Sequence, residues 1–340
     1  MSNESAIYEE VIKKLEAYKK VWMVTRFCKK KGTLGTDLKK ELVTAADSPI
    51  KGDRLQLQKN EQEYILYEPF YPAQRMIVLG GGHIALPLVE FGARLGFRVI
   101  VVDDRLSFAN PVRFPLASDV ICDGFLHALE ALQVRESDYV VIVTRGHRHD
   151  MDCLRVICKG KEPDYVGMIG SQRRTAIVKG ELLEEGIDSL RLERVHTPIG
   201  LNIGAVTPEE IAIAIMAEII QWKRSGDRGK QAAGISDIDY EVLQALANQN
   251  EGSKALLTII EAKGSVPRGV GARMLVYPDG RTVGSIGGGC SEAAAAGEAR
   301  RMIGTGTYQV AEVDLTGEAA EEEGMVCGGK LQVLIEGFAC

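Results

Sequence analysis

The sequence has no apolar run long enough to cross a membrane, and its amino terminus lacks the apolar core of a signal peptide. It also lacks an excess of basic residues, because the formal net charge is −6. A negative balance indicates neither nucleic acid nor an anionic membrane surface as a partner. These absences predict a cytoplasmic protein. With 340 residues, of which 45% are hydrophobic, the chain can build two domains.

Paired cysteines are also lacking, since none of the seven cysteines forms a CxxC motif. An odd number without an export signal argues against a disulfide framework, so we expect reduced thiols. Cys153 and Cys158 have a spacing that suits neither a zinc site nor one helix face, and we interpret them as core or surface thiols without a ligand. Two others, Cys290 and Cys327, stand beside glycines in "GGGC" and "CGG".

What the central region does contain is a repeated alternation of apolar runs and helix-like segments. The apolar runs cover residues 75–80, 98–104, 119–124, 139–144 and 165–171. Runs that are apolar at every position are typical of strands buried on both faces of a parallel sheet covered by helices. The pattern predicts an α/β fold with a Rossmann-like doubly wound parallel sheet over residues 71–224.

The rest of the chain predicts a smaller α+β domain over residues 238–340, joined by a small, polar, aperiodic linker at residues 225–237. Residues 1–70 show some likeness to that domain. "IYEEVIKKLEAYKKVWMVT" parallels "DYEVLQALANQNEGSKALLT", and "EYILYEPF" parallels "LQVLIEGF". We interpret the N-terminal segment as a shortened, degenerate, structural copy of the C-terminal domain. Chance similarity between two amphipathic helices with a strand is the alternative.

The segment "VLGGGHIALPL" has the glycine pattern of a dinucleotide-binding loop between a strand and a helix. Gly80 permits the tight turn, Gly82 lets a pyrophosphate approach the backbone, and Ala85 allows close packing of helix and sheet. His83 either contacts a phosphate or faces solvent. Asp103 ends the next strand, where an acid takes a ribose hydroxyl. The pattern predicts a nucleotide site, and a loop that holds another ligand or none is the alternative.

The carboxyl edge of the predicted sheet carries an anion-binding pattern. Ser171 precedes a helix, and Arg173 and Arg174 can bind a phosphate from its first turn. The nearby "HRHDMD" (147–152) contains imidazoles and carboxylates, but no H-x3-H partner completes a metal site, and none is predicted. We interpret this edge as a site for a phosphorylated, nucleotide-like or pterin-like ligand.

The C-terminal region contains a second glycine-rich site. Cys290 stands at the start of an alanine-rich helix, where the helix dipole favours a thiolate, and Glu292 lies in the first turn. Gly288 and Gly289 leave room for a bulky ligand. Cys327 precedes another strand-like run. A buried cysteine against a glycine turn is the alternative.

A further glycine-rich loop, "EAKGSVPRGVGARMLV", supplies polar residues to the same region. It contributes Ser265, Arg268 and Arg273. Serine and arginine side chains are ordinary partners of phosphate. With the two cysteines, this loop predicts a second pocket that tolerates an anion.

Together these motifs resemble one family. "IEAKGSVPRGVGARMLVYPDGRTVGSIGGGCSE" and "GMVCGGKLQVLIE" resemble the XdhC/CoxI domain. "RMIVLGGGHIALPLVEFGARLGFRVIVVDDR", "YVGMIGSQRR" and "PIGLNIGAVTPEEIAIAIMAEII" resemble the Rossmann domain that accompanies it. The resemblance covers residues 70–224 and 239–340. Such proteins are xanthine dehydrogenase accessory factors.

The resemblance implies a cofactor-binding chaperone more than a turnover enzyme. Such proteins bind molybdenum cofactor, as molybdopterin or its cytosine dinucleotide form. They help it acquire a sulfido ligand from a cysteine desulfurase and pass it to an apo molybdenum hydroxylase such as xanthine dehydrogenase. By this resemblance, Cys290 and Cys327 hold or protect the molybdenum–dithiolene end or relay sulfur, and a homodimer is a further expectation. In the usual order the cysteine domain comes first, whereas here it follows the Rossmann domain.

Two other function classes stay open at the level of sequence. The loop at Gly80 and the acid Asp103 would suit an NAD(P)-dependent oxidoreductase, although no Tyr-x-x-x-Lys pair follows the fourth strand. A nucleotide-binding redox sensor without turnover is the other alternative. Pterin retention that depends on Cys290 would favour the accessory factor over both.

Overall fold

The computed structural model describes residues 3–28, 34–44, 55–61, 63–225, 240–248, 252–314 and 329–338. The chain divides into two units, one formed by Ala73–Ala232 and one composite unit formed by Met1–Pro72 with Ala233–Cys340. Apart from Ser225, the predicted linker lies outside the described residues. Within the described ranges, no helix combines the length and the apolar character that a membrane crossing requires.

The N-terminal part of the composite unit is a helix followed by an antiparallel sheet. Its elements are α1 (Asn3–Glu16), β1 (Val21–Cys28), β2 (Lys39–Thr44), β3 (Gln56–Lys59) and β4 (Glu63–Phe70). These described strands pair in the order β2-β1-β4-β3, and every pairing is antiparallel. Helix α1 buries Tyr8, Val11 and Leu15, whose spacing of three and four residues places them on one face.

The second unit is the predicted Rossmann-like domain, and residues 73–225 of it are described without a gap. Its strands are β5 (Arg75–Leu79), β6 (Arg98–Asp103), β7 (Asp119–Cys122), β8 (Tyr139–Ile142) and β9 (Tyr165–Met168). Its helices are α2 (Ala85–Arg94), α3 (Phe125–Leu132), α4 (His147–Lys159), α5 (Gln172–Glu184), α6 (Ser189–Glu193) and α7 (Pro208–Ser225).

The sheet of this unit is parallel throughout, in the order β7-β6-β5-β8-β9. Alternate residues of β5 enter different cores: Met76 and Val78 pack with α2 and α7, whereas Ile77 and Leu79 pack with α3 and α4. A strand covered on both faces must be apolar at every position, which is why the run is recognisable in the sequence. The strand order reverses between β5 and β8, where ligands of such sheets bind.

The C-terminal part of the composite unit is the predicted α+β domain. Its elements are α8 (Tyr240–Ala247), β10 (Ala255–Lys263), β11 (Arg273–Val276), β12 (Thr282–Gly284), α9 (Gly289–Met302), β13 (Tyr308–Asp314) and β14 (Lys330–Gly337). The described strands pair in the antiparallel order β12-β11-β10-β14-β13.

The two faces of this C-terminal sheet have different partners. Helix α9 covers one face, where Ala299 and Met302 pack on Leu257 and Val333. The other face packs against the N-terminal segment, in a core that joins side chains from both ends of the chain: Tyr8, Val11, Met23, Phe70, Leu243, Leu246, Leu256 and Leu275. The N-terminal segment therefore shares a core with the C-terminal domain.

Candidate functional site

The glycine loop of the Rossmann-like unit begins where β5 ends. Gly80 has φ +114°, and a Cβ there would press into the carbonyl oxygen of Val143. Gly80 N–H donates to the carbonyl of Val102 at 2.8 Å, which ties the turn to the neighbouring strand β6. Only glycine meets both conditions, the left-handed φ and the close approach. Helix α2 then begins at Ala85, which is fully buried, as the glycine pattern predicts.

Past this turn, the loop is open on the side where a ligand would approach. A Cβ at Gly82 would have no heavy atom within 4 Å, and the side chain of His83 is exposed. Both positions keep their predicted place in the loop. Their binding of a ligand stays a prediction.

Asp103 stands at the end of β6, and its carboxylate is already fully engaged. It accepts hydrogen bonds from Gly81 N–H at 2.8 Å and from Arg105, whose Nε and Nη2 lie at 2.8 and 2.9 Å from the two carboxylate oxygens. Asp103 is 1% exposed. Burial would raise the pKa of Asp103, but these bonds outweigh it and lower the pKa. A ribose hydroxyl could reach Asp103 only if Arg105 moved away.

The segment after Asp103 covers the same loop with an aromatic ring and a second arginine. The guanidinium of Arg105 lies 3.7 Å from the ring centre of Phe108, and that of Arg113 lies 5.2 Å from it. Arg113 Nε also donates to the carbonyl of Gly81 at 3.2 Å. Phe108 and Arg113 belong to no motif predicted from the sequence. The signal that could have found them is the run "RLSFANPVRF" directly after the acid.

At the carboxyl edge of the sheet, the predicted anion-binding residues have different roles. The hydroxyl of Ser171 caps α5 by accepting from the N–H of Arg174 at 3.2 Å, and Arg173 is exposed. The guanidinium of Arg174 bonds to Asp150, a buried carboxylate that also accepts from Thr144 Oγ1 at 2.5 Å. Arg174 is therefore partly neutralised by a partner that the sequence did not reveal.

In "HRHDMD", His149, Asp150 and Asp152 contact different neighbours, and His147 is exposed. Asp150 bonds to Thr144 and Arg174, Asp152 pairs with Arg155 at 2.7 Å, and the ring of His149 packs edge-on against Phe125. Burial raises the pKa of Asp150 despite its two partners, because it lies in the interior beside Cys153 and Leu154. Among the residues that the structure describes, no three metal-ligating side chains converge.

In the composite unit, Glu292 holds the glycine loop that precedes α9. One carboxylate oxygen accepts from the hydroxyl of Ser285 at 2.7 Å and from the N–H groups of Ile286, Gly287 and Gly288 at 2.9, 3.2 and 3.0 Å. Burial would raise the pKa of Glu292, but the bonds from Ser285 and the three amides outweigh it and lower the pKa. Glu292 thus places one of its carboxylate oxygens in the nest formed by these backbone amides.

Three predicted motifs of the composite unit meet at the loop that contains Ser265 and Pro267. A Cβ at Gly287 would lie 3.2 Å from Pro267 Cβ, and a Cβ at Gly329 would lie 2.5 Å from the carbonyl oxygen of Ser265. This loop therefore lies between the glycine loop before α9 and the start of β14. The tertiary structure brings together three segments that are well separated in the sequence.

The cysteines themselves are described only in part. The backbone of Cys290 is the second residue of α9, after Gly289, and its side chain lies outside the described part. Cys327 lies outside the described residues, two residues before Gly329. Both stay predictions as catalytic or ligand-binding thiols.

The remaining polar residues of this region divide between surface and core. Ser265 is exposed, and a Cβ at Gly288 would meet no heavy atom within 4 Å, so the loop is open there. Arg268 has a buried Nε with no hydrogen-bond partner among the described residues. The prediction that Arg273 belongs to this pocket is wrong, because Arg273 is buried on the opposite face of the sheet and bonds to Glu68.

The geometry defines a class of protein with a Rossmann-like unit and an α+β unit that carries a glycine–cysteine loop. Two family models match the chain, the XdhC Rossmann domain over residues 76–219 and the XdhC and CoxI family over residues 247–314. Together they span more than half of the sequence. The chain belongs to the XdhC and CoxI family, and the predicted fold class is confirmed.

Three relatives illustrate the similarity. A probable xanthine dehydrogenase subunit from Bacillus subtilis (strain 168) is 32% identical over 154 residues, or 45% of this chain and 44% of that protein. The "Molybdenum cofactor insertion chaperone PaoD" of Escherichia coli (strain K12) is 51% identical over 51 residues, or 15% of this chain and 16% of that protein. The solved structure of a xanthine dehydrogenase from Bacillus halodurans has TM-score 0.54 and 26% identity, covering 66% of this chain and 65% of that chain. The chain thus spans less than half the length of the first two relatives.

Proposed function

We propose that this protein is an accessory factor that binds molybdenum cofactor and assists its insertion into a molybdenum hydroxylase of the xanthine dehydrogenase type. The observation that carries the proposal is the meeting of the glycine loop before α9, the Ser265–Pro267 loop and the start of β14 at one place. The names of the relatives support the same role. The protein acts as a carrier, and its residues bind, orient and shield the cofactor.

The residues at this place fit a pterin cofactor with a phosphate and a sulfur-rich end. The orphaned Nε of Arg268 and the exposed hydroxyl of Ser265 are donors for phosphate. Open space over Gly288 allows a planar ring system to approach the backbone. Cys290, at the second position of α9, would hold the sulfur-bearing end, because a helix N-terminus favours the thiolate. When bound, the group supplies the molybdenum centre that the client enzyme requires.

Sulfuration and transfer form the finer part of the proposal. Cys327, two residues before Gly329 in the sequence, would act with Cys290 to relay sulfur from a cysteine desulfurase or to protect the terminal ligand. An apo molybdenum hydroxylase then takes up the loaded cofactor. Both thiols are softer ligands than the carboxylates and hydroxyls around them, which suits a molybdenum–dithiolene group.

A nucleotide at the Rossmann-like loop, either NAD(P) or another nucleotide, is compatible with this role. The open side of the loop at Gly82 favours a phosphate there. The engagement of Asp103 by Arg105 disfavours ribose recognition by the carboxylate. For this reason we prefer the carrier to an NAD(P)-dependent oxidoreductase.

The test is retention of the pterin by the purified full-length protein. Released molybdenum cofactor is added anaerobically, unbound material is removed, and retained pterin is measured by fluorescence after oxidation. The wild type is compared with Cys290→Ala, Cys290→Ser and Arg268→Gln. Cys122→Ala is the matched control, because Cys122 is an exposed thiol in the Rossmann-like unit.

We expect retention by the wild type and by Cys122→Ala, with at least a tenfold loss in Cys290→Ala and a smaller loss in Arg268→Gln. Equal retention by Cys290→Ala and the wild type would remove the thiol from the site. No retention by the wild type, under conditions where the chaperone PaoD retains pterin, would overturn the carrier role, and NAD would then be titrated against the loop at Gly80.

A further inference from the structure

The two parts of the composite unit have the same strand order. The N-terminal sheet runs β2-β1-β4-β3, and the C-terminal sheet contains β11-β10-β14-β13, with β12 added at one edge. Every pairing between the described strands of both sheets is antiparallel. In both parts a helix precedes the first central strand, α1 before β1 and α8 before β10. Apart from β12 and α9, which belong to the C-terminal part alone among the described elements, the two parts have the same element order and the same topology.

The strand registers agree residue by residue. Thr25 of β1 pairs with Lys40 and Leu66, and Thr258 of β10 pairs with Arg273 and Leu334. One shift of 233 positions relates both Thr25 to Thr258 and Lys40 to Arg273. A register slip by one residue would turn every side chain of a strand to the other face of the sheet. Agreement of the registers on three strands is therefore not expected by chance.

The same correspondence makes Glu68 of β4 equivalent to Glu336 of β14. Met23 pairs with Glu68, Leu256 pairs with Glu336, and Met23 and Leu256 are related by the shift found above. Lys40 and Arg273 are equivalent cations. Each part therefore presents one cation and one glutamate at matching positions of its sheet.

These charges pair between the parts and do so reciprocally. Lys40 Nζ lies 2.5 Å from Glu336 Oε2, and Arg273 bonds to Glu68. All four side chains are at most 10% exposed. Reciprocal contacts, in which residue i meets j and the equivalent of j meets the equivalent of i, are the signature of a two-fold interface.

We infer that residues 1–70 are a second copy of the C-terminal domain, and that the two copies pack within one chain as the two halves of a two-fold dimer do. The N-terminal copy occupies the sheet face on which another copy of the domain would otherwise pack. Its described residues hold no counterpart of α9, and residues 45–55, which separate β2 from β3, are fewer than the 14 residues of that helix. Its sequence has no glycine–cysteine motif. The two copies within this chain thus carry one set of glycine–cysteine motifs, whereas a symmetric dimer of the C-terminal domain would carry two.

This inference does not depend on what the chain binds. It is tested on the full-length chain with Trp222→Phe as background, so that Trp22 in β1 is the remaining tryptophan and reports the composite unit. The variants are Lys40→Glu, Glu336→Lys and their combination, and in parallel Glu68→Arg, Arg273→Glu and their combination. The exposed neighbour Lys39→Glu is the matched control.

In urea unfolding, each single reversal should raise the unfolding equilibrium constant by about a hundredfold or more, since it buries unpaired like charges. Each paired reversal should recover at least about tenfold of that loss. The two pairs should behave alike, and Lys39→Glu should change little. Paired reversals no better than the worse single variant would overturn the inference, as would recovery at one pair only.

If the reversed variants do not fold, the milder set Lys40→Gln, Glu336→Gln and the double variant replaces them, with Glu68→Gln and Arg273→Gln as the equivalent set. Coupling of about tenfold or more within each pair supports the inference. Strictly additive effects within both pairs would overturn it, because a two-fold interface requires that each cation acts through the other copy's glutamate.

Discussion

Two glycine loops, Gly80–Gly82 in the Rossmann-like unit and Gly287–Gly289 in the composite unit, are each held by a carboxylate of the protein. Asp103 reaches the first loop from the next strand and bonds to Gly81 N–H. Glu292 reaches the second from its own helix and bonds to three consecutive amides. Both loops precede a helix, where amides attract anions. In both loops, the anion that these amides bind is a carboxylate of the protein itself.

The difference between the loops lies in how the charge of the carboxylate is balanced. Arg105 neutralises Asp103 with two hydrogen bonds and is itself packed on Phe108. Glu292 is held by neutral donors, a hydroxyl and three backbone amides. The first loop is therefore braced by an ion pair at Asp103, and it stays open at Gly82. The second is braced by hydrogen bonds that leave Gly288 open to a ligand.

The largest effect should come from the turn of the first loop. Gly80→Ala should lower the free energy of unfolding of the Rossmann-like unit by about 3 kcal/mol or more, because the new Cβ meets a backbone carbonyl at a left-handed φ. Gly82→Ala, two residues on, should change it by less than about 0.5 kcal/mol. Urea unfolding followed through Trp222 in a Trp22→Phe background measures both. Equal losses of stability in Gly80→Ala and Gly82→Ala would contradict the close approach of Gly80 to the Val143 carbonyl.

Removal of the Asp103 carboxylate should have the second largest effect on stability. Asp103→Ala should cost about 2 to 3 kcal/mol of unfolding free energy, because it leaves the buried amide of Gly81 without an acceptor and leaves Arg105 only the longer contact with Asp104 at 3.9 Å. Arg105→Ala should cost less, since it leaves the bond from Gly81 intact. The same Trp222 signal measures both variants. If Arg105→Ala proved the more costly, the bracing would come from the arginine's packing on Phe108.

Removal of the second carboxylate should have a smaller effect. Glu292→Ala should lower the stability of the composite unit by about 1 to 2 kcal/mol, because the Ser285 hydroxyl and the amides of Ile286 and Gly288 lose their acceptor, whereas the Gly287 amide keeps Ser285 Oγ at 3.1 Å. Glu241→Ala, at an exposed glutamate in the first turn of α8 in the same unit, is the matched control and should change little. Unfolding followed through Trp22 in a Trp222→Phe background measures both variants. If Glu292→Ala lost no more unfolding free energy than the control, the loop would keep its conformation without the glutamate.

The smallest effect is a pH dependence at the second loop. The folded protein lowers the pKa of Glu292 below its ordinary value of 4.5, so the unfolded chain binds more protons in the acid range. The stabilisation is complete above pH 4.5 and is lost as the pH falls through the lower, folded value. The stability gap between the wild type and Glu292→Gln, about 1 kcal/mol near neutral pH, should therefore narrow on acidification to about pH 3.5. If this stability difference widened on acidification, folding would raise the pKa of Glu292 and the prediction would be wrong.

Local sequence patterns are enough to predict much of the structure of this molecule. The apolar run at residues 75–80 predicts β5, and the glycines that follow predict the turn into α2, because both depend on neighbours in sequence. The family is recognisable from long motifs. The place of Glu292 in the first turn of a helix is also predictable, although its partners are not.

Two roles that the sequence did not reveal depend on partners distant in the chain. Arg273 has the signature of an anion pocket because it follows a glycine-rich loop, yet strand β11 turns it toward Glu68. Arg174 has the signature of a phosphate ligand, yet α4 places Asp150 beside it. In each case the residue type is correct for an anion, and the tertiary structure supplies the anion from the protein itself.

The sequence by itself determined the parallel sheet, the position of both glycine loops and the family, because periodicity and motif spacing are properties of neighbouring residues. Only the tertiary structure decided which carboxylate stands in each loop and which cation pairs with which glutamate. Asp103 is placed by the pairing of β6 with β5 and Glu292 by the turn into α9, whereas the cation–glutamate pairs depend on the register and packing of strands that are far apart in the chain. A buried charge takes the partner that folding brings within hydrogen-bond distance.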